Sequence, residues 1–488
     1  MNLDKFPLNA GIATSRLSGY EDFEGLDPAE WIPRGYAIVN ADSRGTNDSE
    51  GDVRFWGRAE GKDGYDTVQE IAKLPWCNGR VALAGNSWLA ISQYFIAAEQ
   101  PPHLACIAPF EGSSDTLRES ACRGGIPQPE FASAIGSTIL GRGMREDMSG
   151  MLVADPYANE YWKDKRARVD HIKVPAYLVA SYSTVIHAVG TFRAFQEIPH
   201  RNKWLAVHAT QEWYDLYSPE RTDDLQRFFD FYTKDIVNGW PQTPRVRLSV
   251  LQFDNKPAIT NLPFNQLPWL AEGAASRRLF LTAGNKLAEK RPEQVGTTSY
   301  DADATSLGSV QFRIAFPART TIAGPTKAVL YMSTPQTDDM DVYVQLRKAD
   351  ETGRLLIHVN QPLEDLRASR IDEVPDLNAF KYLGPVGMLR ASQRHVDESL
   401  SGPAWSTLSH SREHVQPVEP GHVVRLENWI WPTGMIFEEG EQLVLCVAGH
   451  NLSMPELKGL PPTATVNKGK HVVHFGNEYE SYLELHSI

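Results

Sequence analysis

The feature that most constrains the fold of this chain is a change of hydrophobic pattern near residue 243. Before it, continuous apolar runs of strand length recur: "YAIVNAD" (36–42), "RVALAGNS" (80–87), "LACIAPFEG" (104–112), "AYLVAS" (176–181) and "KWLAVHA" (203–209). Helical patterns lie between and after them, at 64–73, 88–100, 190–197 and 223–234. Continuous apolar strands suit a parallel sheet covered on both faces, and strand–helix alternation is the rhythm of a doubly wound α/β sheet. After residue 243 come "RVRLSVLQF", "RRLFLTA", "SVQFRIAF", "KAVLYMST", "DVYVQLRK", "VVRLENWIW", "EQLVLCVAG" and "HVVHF", separated by Gly, Pro, Asp and Asn. Many of these alternate apolar and polar residues, the pattern of a β-sandwich or jelly roll.

Residues 113–173 break the first rhythm with helical patches and no clear strand, which reads as a helical cap inserted over the sheet. The organisation expected is therefore an α/β domain from 1–112 and 174–242, a cap at 113–173, and a jelly roll at 243–488. A length of 488 residues agrees with more than one core.

Composition excludes several function classes. The net charge is -13 and Lys and Arg are scattered, so the chain lacks a nucleic-acid footprint. Four cysteines make no CxxC pair, and Cys106 and Cys446 sit in apolar runs, so buried free thiols in a reducing, cytoplasmic setting are expected. The opening "MNLDKFPLNAGIATS" lacks the basic and apolar regions of a signal peptide. The most apolar window, 81–98, contains Asn86, Ser87, Ser92 and Gln93, which suits a strand–turn–helix better than a membrane span. No cofactor or metal is expected. "SHSREH" (409–414) and "RHVD" (394–397) lack dependable ligand spacing and read as loop or interdomain residues. Asp42, Arg44 and Asp66 read as a structural polar network.

The run "RVALAGNSWLAISQYF" (80–95) carries the chemistry. A strand that ends in Gly-x-Ser and passes straight into a helix holds the serine on a strained turn, with its hydroxyl above the strand ends. The helix N-terminus and the amide after the serine can then stabilise an oxyanion. Gly85 and Ser87 fit this geometry. Leu89 stands where a glycine is usual, and Ala90, one residue on, is small.

The chain resembles the CocE/NonD hydrolases, the cocaine-esterase and Xaa-Pro dipeptidyl-peptidase-like family. The resemblance rests on "RGYAIVNADSRGTNDSEG" (34–51), "DGYDTVQEIAKLPWCNGRVALAGNSWLA" (63–90), "PPHLACIAPFEGSSD" (101–115) and "PVEPGHVVRLENWIWPTGMIFEEGEQLVLCVAG" (417–449). It implies an α/β-hydrolase domain, a helical cap, a C-terminal jelly roll, and a Ser-His-Asp triad that cleaves esters or amides through an acyl-enzyme. Ser87 is then the nucleophile and the amide of Trp88 an oxyanion donor.

Three departures follow. After "AYLVAS", where the family places the triad acid, the chain reads Tyr182-Ser183-Thr184-Val185-Ile186-His187, without a carboxylate until Glu197. Gln211 falls where the histidine is expected. The family's opening strands precede a P-Y-x-K segment whose tyrosine serves the oxyanion, and Leu3 falls at that tyrosine's place. The α/β-hydrolase sheet is therefore expected to lack its opening strands, one of which belongs between "YAIVNAD" and "RVALAGNS".

A serine hydroxyl needs a base, and the base an orienting partner. The reading favoured by position is Ser87 with His208 as base, oriented by Glu111. His187 is the alternative base or a substrate contact, and Asp115, Glu212 and Asp215 are further acids. The structural readings stand beside these: His208 capping a strand, and Glu111 tying cap to sheet through Arg118 or Arg123. Tyr182 and Trp213 (with Tyr214) line a substrate pocket or belong to the core. The leading function is a serine hydrolase for small acyl, aminoacyl or peptidyl substrates. The alternatives are a hydrolase fold redirected to isomerisation, cyclisation or elimination, and a non-catalytic binding protein. Expected partners are a small-molecule or short peptide substrate, with neither nucleic acid nor membrane, and the broad β surface admits a homodimer.

Overall fold

The computed structural model describes residues 7–274, 276–303 and 308–488. A six-stranded sheet is ordered β1-β2-β3-β4-β5-β6. Its strands are β1 (Val81–Asn86), β2 (Leu104–Phe110), β3 (Ala176–Ser181), β4 (Lys203–His208), β5 (Val246–Val250) and β6 (Ile259–Phe264). β1 to β5 run parallel and β6 returns antiparallel to β5. Every residue of β3 is buried, which explains its unbroken apolar run. The sheet continues past residue 242, because β5 and β6 pair with it before the chain enters the second β body.

The helices are α1 (Pro28–Trp31), α2 (Gly57–Ala72), α3 (Trp88–Ala98), α4 (Pro129–Thr138), α5 (Met148–Ala154), α6 (Glu160–Asp164), α7 (Ala188–Glu197), α8 (Glu212–Leu216) and α9 (Pro219–Thr233). α4, α5 and α6 fall within 113–173, together with a π-helical turn at Leu117–Ala121. Arg118 ties this segment to the second body through the carbonyls of Leu408 and Ser409, and also pairs with Asp115. His410, from the "SHSREH" run, accepts the Gly125 N–H at 3.2 Å and lies 2.8 Å from the Cys122 carbonyl.

The expected strand at 36–42 is corrected. This segment pairs with no neighbour, and a cleft of about 1110 Å³ lies between it and β1, floored by α2 and α3 and walled by α9. A strand exists only when an adjacent backbone satisfies its amides and carbonyls. The apolar pattern of Tyr36, Ile38 and the alanines is present, but the partner is not. For the same reason Val81, Ala82, Leu83 and Ala84 of β1 are only half-buried. Leu3 lies outside the described residues.

The second body is an 11-stranded, antiparallel-rich sheet built from strands between Ser276 and His486. Its long strands Thr320–Ser333 and Val424–Phe437 pair along twelve registers. One apolar core joins the two bodies, running from Leu178 and Leu205 through Leu251 and Met435 to Leu445. No helix of the described residues is long and apolar enough to cross a membrane. Cys106, Cys122 and Cys446 are buried free thiols and Cys77 is half-buried.

Candidate active site

β1 delivers Ser87 directly into α3. Ser87 has φ 53° and ψ -115°, outside the regions an L-residue prefers. Its amide donates to Phe110 O at 3.1 Å, and the preceding Asn86 amide donates to Glu24 O at 3.0 Å. Gly85 has φ +133°, and a Cβ there would lie 2.6 Å from that of Leu89. A Cβ on Gly112 would lie 3.0 Å from the Ala90 Cβ. Leu89 is accommodated because Gly85 lacks a Cβ, and the small Ala90 admits the close approach of Gly112. The Trp88 amide is among the first-turn N–H groups of α3, which have no partner within the helix.

His187 Nε2 lies 3.1 Å from Ser87 Oγ. His187 occupies the N-cap position of α7, just after β3, and is buried. Burial, reinforced by the Arg123 charge, pushes its pKa down to about 3, so the ring is neutral at working pH. Its Nδ1 has no hydrogen-bond partner, and the carboxylate at its side is Glu212, with Oε2 3.9 Å from Nε2.

His208 is engaged elsewhere. Its Nε2 lies 2.7 Å from Glu111 Oε1 and its Nδ1 3.1 Å from Thr210 Oγ1. Glu111 sits at the carboxyl end of β2 with φ +59°, 1% exposed. Burial raises its pKa, against the pull of His208. Asp215 lies 3.8 Å from His208 but is held by Arg221 Nε at 2.6 Å. The structure thus joins His208 to Glu111 and brings His187, rather than His208, to Ser87. Arg123 donates to Val185 O and Gln128 rather than to Glu111.

The remaining site residues divide between pocket and scaffold. Gln211, at the expected histidine position, caps α8 by accepting from the Trp213 and Tyr214 amides at 2.8 and 3.0 Å. Tyr182 is buried in the core against Gly434 of the second body. Trp213 donates its indole N–H to Glu24 Oε1 at 3.0 Å. Arg44 pairs with Asp63 at 2.8 Å, and Asp42 accepts from Asn47 at 2.7 Å, away from Ser87.

Two carboxylates missing from the favoured sequence reading converge here. Glu24 is buried and accepts the Trp213 indole N–H, and its backbone carbonyl accepts the Asn86 amide beside the serine; burial pushes its pKa up to about 8. Glu212 is raised well above the usual carboxylate range by burial and by Glu111, Glu24 and Glu456. Only the "EGLDP" loop (24–28), which begins 63 residues before the serine, carries Glu24, and no local pattern marks it. Glu212 was visible as a carboxylate beside the displaced Gln211. Glu111 Oε2, Glu212 Oε2 and both Asn86 side-chain polar atoms are buried without partners. Among the described residues no cluster of His, Cys, Asp and Glu is arranged to hold a metal ion.

A strained serine at a strand–helix turn, in hydrogen-bond contact with a neutral histidine on a parallel α/β sheet, defines a serine hydrolase of the α/β-hydrolase class. Residues 11–147 match the X-Pro dipeptidyl-peptidase (S15 family) model and residues 238–484 the X-Pro dipeptidyl-peptidase C-terminal non-catalytic domain. A CocE/NonD family hydrolase from Staphylococcus aureus superposes with a TM-score of 0.87 at 28% identity, covering 97% of this chain and 84% of its own. The cocaine esterase of a Rhodococcus species is 36% identical over 90 residues, 18% of this chain and 15% of that enzyme. An aminopeptidase from a Thaumarchaeota archaeon shares the fold, with a TM-score of 0.63 at 16% identity over 88% of this chain and 80% of its own. The chain belongs to the CocE/NonD family and is a serine hydrolase of the esterase and Xaa-Pro peptidase type.

Proposed function

We propose that Ser87 attacks the carbonyl of an ester or amide, with His187 as the base, and carries the acyl group through a covalent intermediate. The observation that carries this is the 3.1 Å contact between His187 Nε2 and the hydroxyl of a serine held on a strained elbow. His187 accepts the hydroxyl proton and returns it to the leaving group, and the Trp88 amide faces the developing oxyanion. Glu212, 3.9 Å from the ring, is the carboxyl nearest the imidazolium as it forms. Glu111 and His208 pair at the ends of neighbouring strands. Buried free thiols support a cytoplasmic setting.

The test is the intact mass after treatment with a fluorophosphonate probe. One adduct on the wild type, absent from Ser87→Ala, is expected. Lack of an adduct on folded wild type would overturn hydrolysis at Ser87 and favour redirected chemistry.

The acyl group suited to this pocket carries an ammonium. Glu111 Oε2 and Glu212 Oε2 are buried acceptors without partners, and a substrate cation would satisfy them. The aminopeptidase among the structural neighbours is consistent with that chemistry. Aminoacyl p-nitrophenyl esters should exceed their N-acetylated counterparts in kcat/KM by about 10- to 100-fold, the worth of a charged hydrogen bond. Equal rates for both would exclude an ammonium subsite.

A further inference from the structure

Three parts of the molecule meet around one small cavity: Arg123 from the cap segment, Val189 and Arg193 from α7, and Trp405, Trp429 and Trp431 from the second body. Its volume is about 90 Å³, room for about three waters at ~30 Å³ each. The walls are aromatic and the nearest donors are guanidinium groups. The Arg123 guanidinium carbon lies 4.7 Å from the centroid of the Trp431 ring, and that of Arg193 lies 5.9 Å from the Trp405 ring.

The charges around this cavity are paired, with one exception. Arg118 pairs with Asp115 at 2.9 Å, and Arg193 with Glu119 at 3.4 Å. Glu427 is met by Lys327 at 3.2 Å and by Arg425 at 2.5 Å. His410 is neutral, its pKa pushed down to about 4 by burial. Arg123 is 7% exposed, and among the described residues no carboxylate forms an ion pair with it. Its hydrogen bonds go to two neutral oxygens, Val185 O and Gln128 Oε1, and its Nε has no partner. Arg193 Nε and Trp429 Nε1 are likewise buried without partners. Glu456 is the carboxyl acting most strongly on Arg123, and burial pushes its own pKa up to about 7, toward the neutral form. A buried cation without a counter-charge is costly, and so are buried donors without acceptors.

We propose that this cavity binds a short-chain carboxylate, with its oxygens toward Arg123 and its alkyl chain against the tryptophan rings. One uncompensated cation calls for a monoanion, and the planar guanidinium fork matches a carboxylate. The aromatic walls call for a hydrocarbon tail rather than a bare phosphate or sulfate. The volume limits that tail to about two or three carbons. Cleavage of an ester or amide releases a carboxylate, so the ligand has the chemistry of the enzyme's own acid product. The cavity also borders the base: Arg123 holds the carbonyl of Val185, two residues before His187, and α7 starts directly after His187. The site rests on its own packing and charge, independently of the role of Ser87.

The experiment is a ligand-observed NMR titration with sodium propionate at fixed ionic strength, with propionamide as the neutral analogue of the same shape. Wild type should saturate with a Kd of about 1 mM, in keeping with so small a ligand. Propionamide should bind at least about 10-fold more weakly, the worth of a charged hydrogen bond. Arg123→Met removes the cation and should weaken propionate by about the same factor. Ser406→Phe fills the cavity from its lining, leaves Arg123 and its hydrogen bonds in place, and should abolish saturable binding. Equal binding of propionamide and propionate would overturn the carboxylate reading. Unchanged propionate binding in Ser406→Phe, or uptake that never saturates in wild type, would overturn the site. None of these outcomes depends on labelling of Ser87, so this proposal and the hydrolase reading fail separately.

Discussion

Replacing His187 with alanine is expected to slow fluorophosphonate labelling and ester turnover by roughly 10³- to 10⁴-fold, whereas replacing His208 should leave both within about tenfold. The two histidines stand at the ends of neighbouring strands, and sequence position favours His208. The side-chain contacts favour His187. His208 spends Nε2 on Glu111 and Nδ1 on Thr210, so neither nitrogen is available to a serine. His187 presents Nε2 to Ser87 and keeps Nδ1 free. Its depressed pKa makes it a weak base in the resting enzyme. That fits a site in which charge forms only transiently, beside the Glu212 carboxyl.

His208→Ala should reveal itself in a different measurement. It leaves Glu111 buried without its partner, and breaking a buried pair of this kind costs about 3–5 kcal/mol, moderated where the acid can take up a proton. Thermal melting should therefore fall in His208→Ala and stay near wild type in His187→Ala. If His208→Ala abolishes labelling on folded protein and His187→Ala does not, the assignment of the base is reversed.

The contrast shows which parts of the site the sequence encodes locally. The elbow depends on Gly85, Ser87, the small Ala90 and an apolar helix within one short stretch, and all of it was legible. The change of pattern near residue 243 was legible too, because periodicity is a local property, but it falls two strands before the chain leaves the α/β sheet, since β5 and β6 still pair with that sheet. The base was not. His187 and His208 lie 21 residues apart, after consecutive strands, and their roles follow from which ring reaches across the strand ends. Gln211 was seen as a departure, and only its geometry shows that it caps a helix. Glu24 had no sequence signal, since nothing near it announces that its loop folds back onto a turn 63 residues later. The run at 36–42 shows the opposite failure. Its pattern is that of a strand, but strand formation depends on a neighbour, and pattern carries no information about the neighbour's presence.

The same buried carboxylates that shape the site should tilt stability against alkaline pH. Glu24 is pushed up to about 8, and Glu60 and Glu456 to about 7, all chiefly by burial; Glu111 and Glu212 are raised as well. In each case the folded protein holds a proton that the unfolded chain releases near the ordinary carboxylate value. Stability from these groups is therefore complete below about pH 4.5 and is lost as pH rises through 7 to 8. The buried histidines act in the other direction. His187, His358, His410 and His471 are held to about 3–4, so their burial costs stability as pH falls below about 6.5, where the unfolded chain takes up protons. The acids Asp115, Asp215 and Asp224, lowered by neighbouring arginines, add to that acid-side loss below about pH 4. Above about pH 6.5 the histidine contribution is spent and only the carboxylate slope remains. Melting temperature should peak near about pH 5 and decline steadily to about pH 8.5. Glu24 alone accounts for about 2 kcal/mol between pH 6.5 and 8, at roughly 1.4 kcal/mol per pH unit. Glu24→Gln removes that titration, so its melting temperature should decline less over the same range. A wild-type melting temperature that stays flat or rises from pH 6.5 to 8.5 would show that these carboxyls are already ionised in the folded enzyme, with water or ions around them.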